Sequence, residues 1–160
     1  MGYQVTGIDI SSEMIEVART EVPECSFRVD DVCKLPFEDA SFDVAASIAT
    51  LEFIPDPAAA VREMVRCVKP GGRLLIGTLN RLAPLNQHRL STGKPPYASA
   101  HLFSPGELRR LLASLGRVRM AASSPRQCKG RLPLPTRIVS RLPGFRGRLD
   151  GPLIVAEVRL

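Results

Sequence analysis

The sequence predicts an α/β fold built on one mainly parallel sheet, and three observations carry that prediction. Short runs rich in β-branched, aromatic and small residues, at Tyr3–Ile8, Ser26–Asp30, Val44–Ile48 and Arg73–Thr78, alternate with segments of helical apolar spacing, as strands joined by crossover helices do. The first run ends on Asp9, and a helix start follows at once, so an acid stands at a strand tip, where open α/β sheets bind ligands. The last two runs, Val118–Ala122 and Leu153–Val158, have no helical pattern between them, which predicts an antiparallel pair at one edge.

Each element has its own local signal. Tyr3–Ile8 suits a short buried strand of a parallel sheet. Ser11 is placed to cap the helix Ser12–Thr20, and Glu13 in its first turn suits the helix dipole. Met14, Ile15, Val17 and Ala18 form its apolar side, and Pro23 ends it. In the second strand Phe27 and Val29 alternate with polar residues before Asp30-Asp31. A loop anchored by Leu35-Pro36-Phe37 leads through Ser41-Phe42-Asp43 into the third strand. Asp56 caps and Pro57 opens the next helix, whose Val61, Met64, Val65 and Val68 share one face. Lys69-Pro70-Gly71-Gly72 stops that helix and turns the chain into the fourth strand. Residues 80–103 read as irregular, with Pro84, Pro95, Pro96 and both histidines, His88 and His101. Ser104-Pro105-Gly106-Glu107 is a capping box; it starts a helix with Leu108, Leu111, Leu112 and Leu115 inward, ended by Gly116. Residues 123–148 read as an Arg- and Pro-rich loop.

Asp9 alone supports two readings. It can accept hydrogen bonds from the ribose hydroxyls of a nucleotide cofactor, or serve as a local cap. Four blocks in order and spacing add to the first reading. They are Val5-Thr6-Gly7-Ile8-Asp9-Ile10-Ser11 with Met14, Asp31-Val32 followed by Leu35-Pro36-Phe37, Ser41-Phe42-Asp43 with its strand, and Val68-Lys69-Pro70-Gly71-Gly72-Arg73-Leu74. Together they resemble the class I S-adenosylmethionine-dependent methyltransferases, in the small-molecule branch that includes the ubiquinone and menaquinone methyltransferases. The resemblance covers residues 2–79 well and the remainder loosely.

The resemblance implies a Rossmann-like sheet, mainly parallel with an antiparallel edge, in one domain over residues 1–160. It implies S-adenosyl-L-methionine as cofactor and a small-molecule methyl acceptor. Asp9 would hold the ribose hydroxyls, Ile10 and Met14 would pack on the adenine, and Asp31 would accept from the adenine amino group. The Val32 backbone would meet the ring edge, and Ile48 would pass near the methionine part. Residues 80–103 would form the substrate lid. Glu52, where relatives often carry His, reads as a surface acid, His88 and His101 read as loop residues, and no catalytic residue is assigned.

One departure shapes the expectations. No G-x-G-x-G occurs in the 160 residues, and counting back from Asp9 by the roughly 20 residues that separate such a loop from its acid runs past Met1. The expectation is an N-terminally incomplete chain lacking the family's first strand, first helix and glycine loop, with methyl transfer impaired. In the family strand order 3-2-1-4-5-7-6, member 1 would then be missing. Tyr3–Ile8 and Val44–Ile48 would either pair directly or leave an open slot.

Composition narrows the rest. Hydrophobic residues make up 44% of the chain, enough for a real core, and no apolar run approaches the roughly 20 residues of a membrane span. Cys25, Cys33, Cys67 and Cys128 lack C-x-x-C spacing, so neither a metal site nor a disulfide framework is expected, and buried reduced thiols are. A cytoplasmic location follows by elimination. Residues 1–70 hold 13 acidic and 6 basic side chains, whereas residues 109–148 hold 11 basic and no acidic ones. That basic C-terminal part is where nucleic acid would bind, but aromatics that would stack on bases are scarce there. A non-catalytic binding module with this Arg-rich tail is the alternative from another class. An NAD-dependent dehydrogenase fragment using Asp9 for the ribose is the second alternative, disfavoured by the Leu35–Asp43 block.

Overall fold

The computed structural model describes residues 2–123 and 149–160. The elements are β1 (Thr6–Asp9), α1 (Ser12–Glu21), β2 (Ser26–Val29), β3 (Phe42–Ile48), a 3-10 turn at Leu51–Phe53, α2 (Pro57–Cys67), β4 (Val68–Leu79), α3 (Pro84–Ser91), a 3-10 turn at Tyr97–Ser99, α4 (Pro105–Leu112), β5 (Arg117–Ala122) and β6 (Leu153–Arg159). The local signals place the helix starts. Ser11 Oγ accepts from Met14 N, Asp56 Oδ1 accepts from Ala59 N, and Ser104 with Glu107 closes a full capping box.

Among the described residues the strands form two sheets, β1–β2 and β3–β4–β6–β5. β1 and β2 run parallel with Thr6 opposite Ser26 and Asp9 opposite Val29. β3 and β4 are parallel, as the fold expectation requires, and β6 is antiparallel to both β4 and β5. β1 and β3 share no ladder, the open-slot outcome of the two expected. Val5 and Val44, beside that gap, are 49% and 41% exposed.

The core lies on one face of the larger sheet. Leu74 and Ile76 of β4 and Ile154, Ala156 and Val158 of β6 pack against Val61 and Met64 of α2 and Leu108 and Leu112 of α4. Alternation along each strand sends every second residue to this face. Each fully buried Leu or Ile contributes roughly 1.5–3 kcal/mol. Arg66 fixes the loop before β3 on α2: its guanidinium donates to Glu63, Asp39 and the carbonyls of Leu35 and Phe37.

Several sequence expectations need correction. The Lys69–Gly72 turn lies inside β4, not before it. Phe42 pairs with Val68 and Val44 with Arg73, so a two-residue step on β3 (42 to 44) faces a five-residue step on β4 (68 to 73) and the extra residues loop out. Gly71, at φ 80°, makes that turn. On α1 only Ile15 is buried, while Met14 and Val17 are more than half exposed, because no described element covers that side of the helix. Residues 80–103 are not irregular throughout: Pro84 opens α3, and buried Asn86 ties it down by donating to the carbonyls of Asn80 and Pro152. Cys67 is buried but Cys25 and Cys33 are only half-buried; burial raises the pKa of the Cys33 and Cys67 thiols and keeps them protonated. The Arg- and Pro-rich loop, apart from Ser123, and Cys128 lie outside the described residues.

Candidate functional site

The carboxyl ends of β1 and β2 carry the two acids singled out in the sequence. Parallel pairing sets Asp9 opposite Val29, and Asp30 N donates to the Asp9 carbonyl at 3.1 Å. Asp31 therefore leaves β2 at the same end of the small sheet. Each acid uses one oxygen locally: Asp9 Oδ1 accepts from Ser11 N at 2.9 Å, and Asp31 Oδ1 accepts from Cys33 N at 2.8 Å. Asp9 thus makes the local cap that its sequence also suggested, and Asp31 makes a turn of the same kind. Asp9 makes no further hydrogen bond to a described residue, so its local role leaves an oxygen to accept from a ligand, whereas the Asp31 carboxylate also meets the Cys33 thiol. Orienting one oxygen on a backbone N–H also fixes where the other points.

Apolar side chains stand uncovered around the acids. Ile10, next to Asp9, is 77% exposed, and Met14 in the first turn of α1 is 56% exposed. Ile48, at the end of β3, is 48% exposed. Its partner is Gly77, where a Cβ would sit 2.8 Å from Ile48 Cδ1, so the glycine makes room for this side chain. Ala49 follows at φ 53°, with its N–H on the Gly77 carbonyl at 2.8 Å. A non-glycine residue in the left-handed region costs roughly 1 kcal/mol or more and tends to mark working parts of a structure. Val32 is half-buried and packs against the hydrophobic core. Asp9, Ile10, Met14, Asp31 and Val32 thus lie on the β1–β2 unit and its exit loop, and Ile48 on the second sheet.

Sequence reasoning misjudged Glu52. It is not a surface acid but is 1% exposed. Its Oε2 accepts from Thr78 Oγ1 and its Oε1 from Leu79 N, both at 3.0 Å, and its main-chain oxygen accepts from His101 N at 2.7 Å. A buried carboxylate needs such partners; here they lie at the end of β4, while the main-chain bond reaches the end of segment 80–103. That segment is an excursion closed at its base: Asn80 bridges Phe103, and Arg81 N donates to the Phe103 carbonyl at 2.9 Å. No local pattern marks Glu52; its position just past a strand tip was the available signal. His101 stacks edge-on against Phe103 with ring centroids 5.2 Å apart and remains exposed, as does His88.

Whether these residues suit the adenosine part of S-adenosylmethionine can be judged from the donor set. That group presents two ribose hydroxyls, an exocyclic amine and a flat apolar ring. Two strand-tip carboxylates and two uncovered aliphatic side chains match it in kind.

The chain is also similar to known proteins. Residues 1–76 match the family model described as a methyltransferase domain. A ubiquinone biosynthesis O-methyltransferase of Xanthomonas oryzae pv. oryzae is 43% identical over 86 residues, spanning 51% of this chain and 36% of that protein. The chain therefore spans about a third of the length of this curated relative. Among solved structures, an S-adenosylmethionine-dependent methyltransferase of Thermotoga maritima superposes with a TM-score of 0.72 at 26% identity, covering 97% of this chain and 72% of that one. Another, from Methanosarcina mazei, gives a TM-score of 0.65 at 23% identity over 99% of this chain and 83% of that one. The strand order of the larger sheet and its antiparallel edge are those of the class I methyltransferase fold.

Proposed function

From the match of residues 1–76 to a methyltransferase-domain model, we propose that the protein binds S-adenosyl-L-methionine at the tips of β1, β2 and β3 and takes part in methyl transfer to a small-molecule acceptor. Asp9 holds the ribose hydroxyls through Oδ2, Ile10 and Met14 cover the adenine, and Asp31 with the Val32 backbone recognises its edge. Ile48 lies along the path to the methionine part. Segment 80–103 is the lid, rooted by Glu52 and the Asn80–Phe103 bridge. The observation that carries the reading is the pair of acids at neighbouring strand tips, each oriented by one oxygen on a backbone N–H.

The bound cofactor supplies a methyl group already activated on a sulfonium. What remains for the chain is orientation and exclusion of water. The lid serves both, and exposed Phe53, Leu82 and Leu85, at the turn after β3 and on the lid, suit an acceptor with an apolar body. An oxygen acceptor follows the activity named for the Xanthomonas relative. A proton acceptor is needed only for a nucleophile that arrives protonated, and no residue is assigned that role.

Calorimetric titration with S-adenosylhomocysteine, with NAD as the comparison, tests the reading. Binding of the first, weakened by Asp9→Ala, is expected. Preference for NAD, or indifference to Asp9→Ala, overturns it.

A further inference from the structure

The face of the β3–β4–β6–β5 sheet turned away from the core carries a row of cations. Arg73 of β4 is opposite Arg159 of β6, and Arg159 is opposite Arg117 of β5. Three arginines thus stand side by side on adjacent strands, about 4.8 Å apart from strand to strand. Arg119, two residues along β5, shares the face and lies opposite Glu157. Like charges directly opposite one another destabilise a sheet, and one acid, Glu157, stands among these four cations. Its side chain is 8% exposed, and its Oε1 lies 3.8 Å from Arg73 Nη1 and 4.0 Å from Arg159 Nε with no hydrogen-bond partner. At that range the acid attracts the guanidiniums without using their N–H groups. None of the four guanidiniums donates a hydrogen bond to a described residue, and the side chains of Arg73 and Arg159 are 50% and 58% exposed.

We propose that this row is a docking surface for an extended acidic protein segment. Arg117 and Arg119 are spaced i, i+2 on a strand, about 6.7 Å, which is the spacing of alternate side chains in an extended chain. Glu or Asp at every second position meets both, and each guanidinium fork can take a carboxylate through two hydrogen bonds. The neighbours on the same face are Leu75, Val155 and Ala121, with no aromatic ring on which a base could stack, which disfavours single-stranded nucleic acid. Arg73 stands near the start of the β3–β4 ladder and Ile48 at its end, so the surface is remote from the proposed cofactor site and does not depend on it.

The test is fluorescence anisotropy at low salt with a labelled peptide of alternating glutamate and threonine. Three proteins are compared: the chain itself, Arg117→Glu with Arg119→Glu, and Arg109→Glu with Arg110→Glu. The last pair makes the same charge change at exposed positions on α4, and circular dichroism checks that each protein is folded. Expected are salt-sensitive binding, a loss of about tenfold or more for the β5 pair, and a change within about twofold for the α4 pair. No binding, or equal losses for the two pairs, overturns the proposal. So does tighter binding of a single-stranded oligonucleotide of equal charge, which would assign the row to phosphates.

Discussion

Glu52→Ala is expected to lower unfolding stability by about 3–5 kcal/mol. The substitution takes the acceptor from two buried donors, Leu79 N and Thr78 Oγ1. A buried donor left without a partner costs about 1–3 kcal/mol. The Thr78 hydroxyl can rotate toward another acceptor, so its share falls at the low end; Leu79 N cannot move without disturbing the end of β4. The lost methylene adds about 0.8 kcal/mol. Such a loss is a large part of the roughly 5–15 kcal/mol that holds a domain folded. Glu52→Gln is the informative contrast. Its amide oxygen still accepts from Leu79 N, and its NH2 donates to Thr78 Oγ1, whose lone pairs are available. What goes is the charge assistance, about 1 kcal/mol. The hydrogen bond from His101 N uses the main chain and survives in both variants. Urea denaturation followed by far-ultraviolet circular dichroism measures all three proteins. An alanine variant within about 0.5 kcal/mol of the parent, or a glutamine variant as damaged as alanine, would refute the buried-junction account.

Further outcomes follow from other sites. Asp9→Ala should weaken S-adenosylhomocysteine binding by roughly 1.5–3 kcal/mol, the range for a lost charged hydrogen bond, while Glu52→Gln leaves it nearly unchanged; equal effects in calorimetry would contradict the role of Asp9. Glu107 is held at a pKa of about 2, well below its ordinary 4.5, first by the hydrogen bonds from Ser104 and then by Arg81. A depressed acid stabilises fully above its ordinary pKa, so this contribution should fade as pH drops from about 4.5 toward about 2, and Glu107→Gln should flatten that limb of a stability–pH curve. At Gly72 a Cβ would lie 2.8 Å from the carbonyl oxygens of Asp43 and Lys69, so Gly72→Ala should cost about 1–3 kcal/mol in thermal unfolding. Gly71 has open space but a φ of 80°, so Gly71→Asn should cost less than about 1 kcal/mol, because Asn tolerates that region.

Much of the fold and half of the site were legible because their signals are local. The caps at Ser11, Asp56 and Ser104 are set by residues within three positions of one another, and helical or strand periodicity placed the elements between them. Asp9 and Asp31 were identifiable as strand-tip acids for the same reason: a strand's end is marked by where its apolar run stops. Only the resemblance implies a ligand role for these tips, since composition could not separate a ribose acceptor from a cap, and the structure finds each acid serving its local turn.

The rest depended on segments distant in sequence meeting in space. Glu52 is buried because Thr78 and Leu79, more than two dozen residues away, bring donors to it; on its own, a glutamate past a strand tip reads as a surface acid. α3 forms where composition predicts a loop because Asn86 reaches Pro152, 66 residues on. Met14 and Val17 have core-like spacing, yet no described element covers them. The row of Arg73, Arg159 and Arg117 exists only through strand register, which sequence spacing does not contain. What the chain alone determined was the kind and order of its elements and the acids at their tips, because these rest on neighbouring residues. What the tertiary structure decided was burial, pairing and the company each charge keeps, because those energies are set by contacts across the fold.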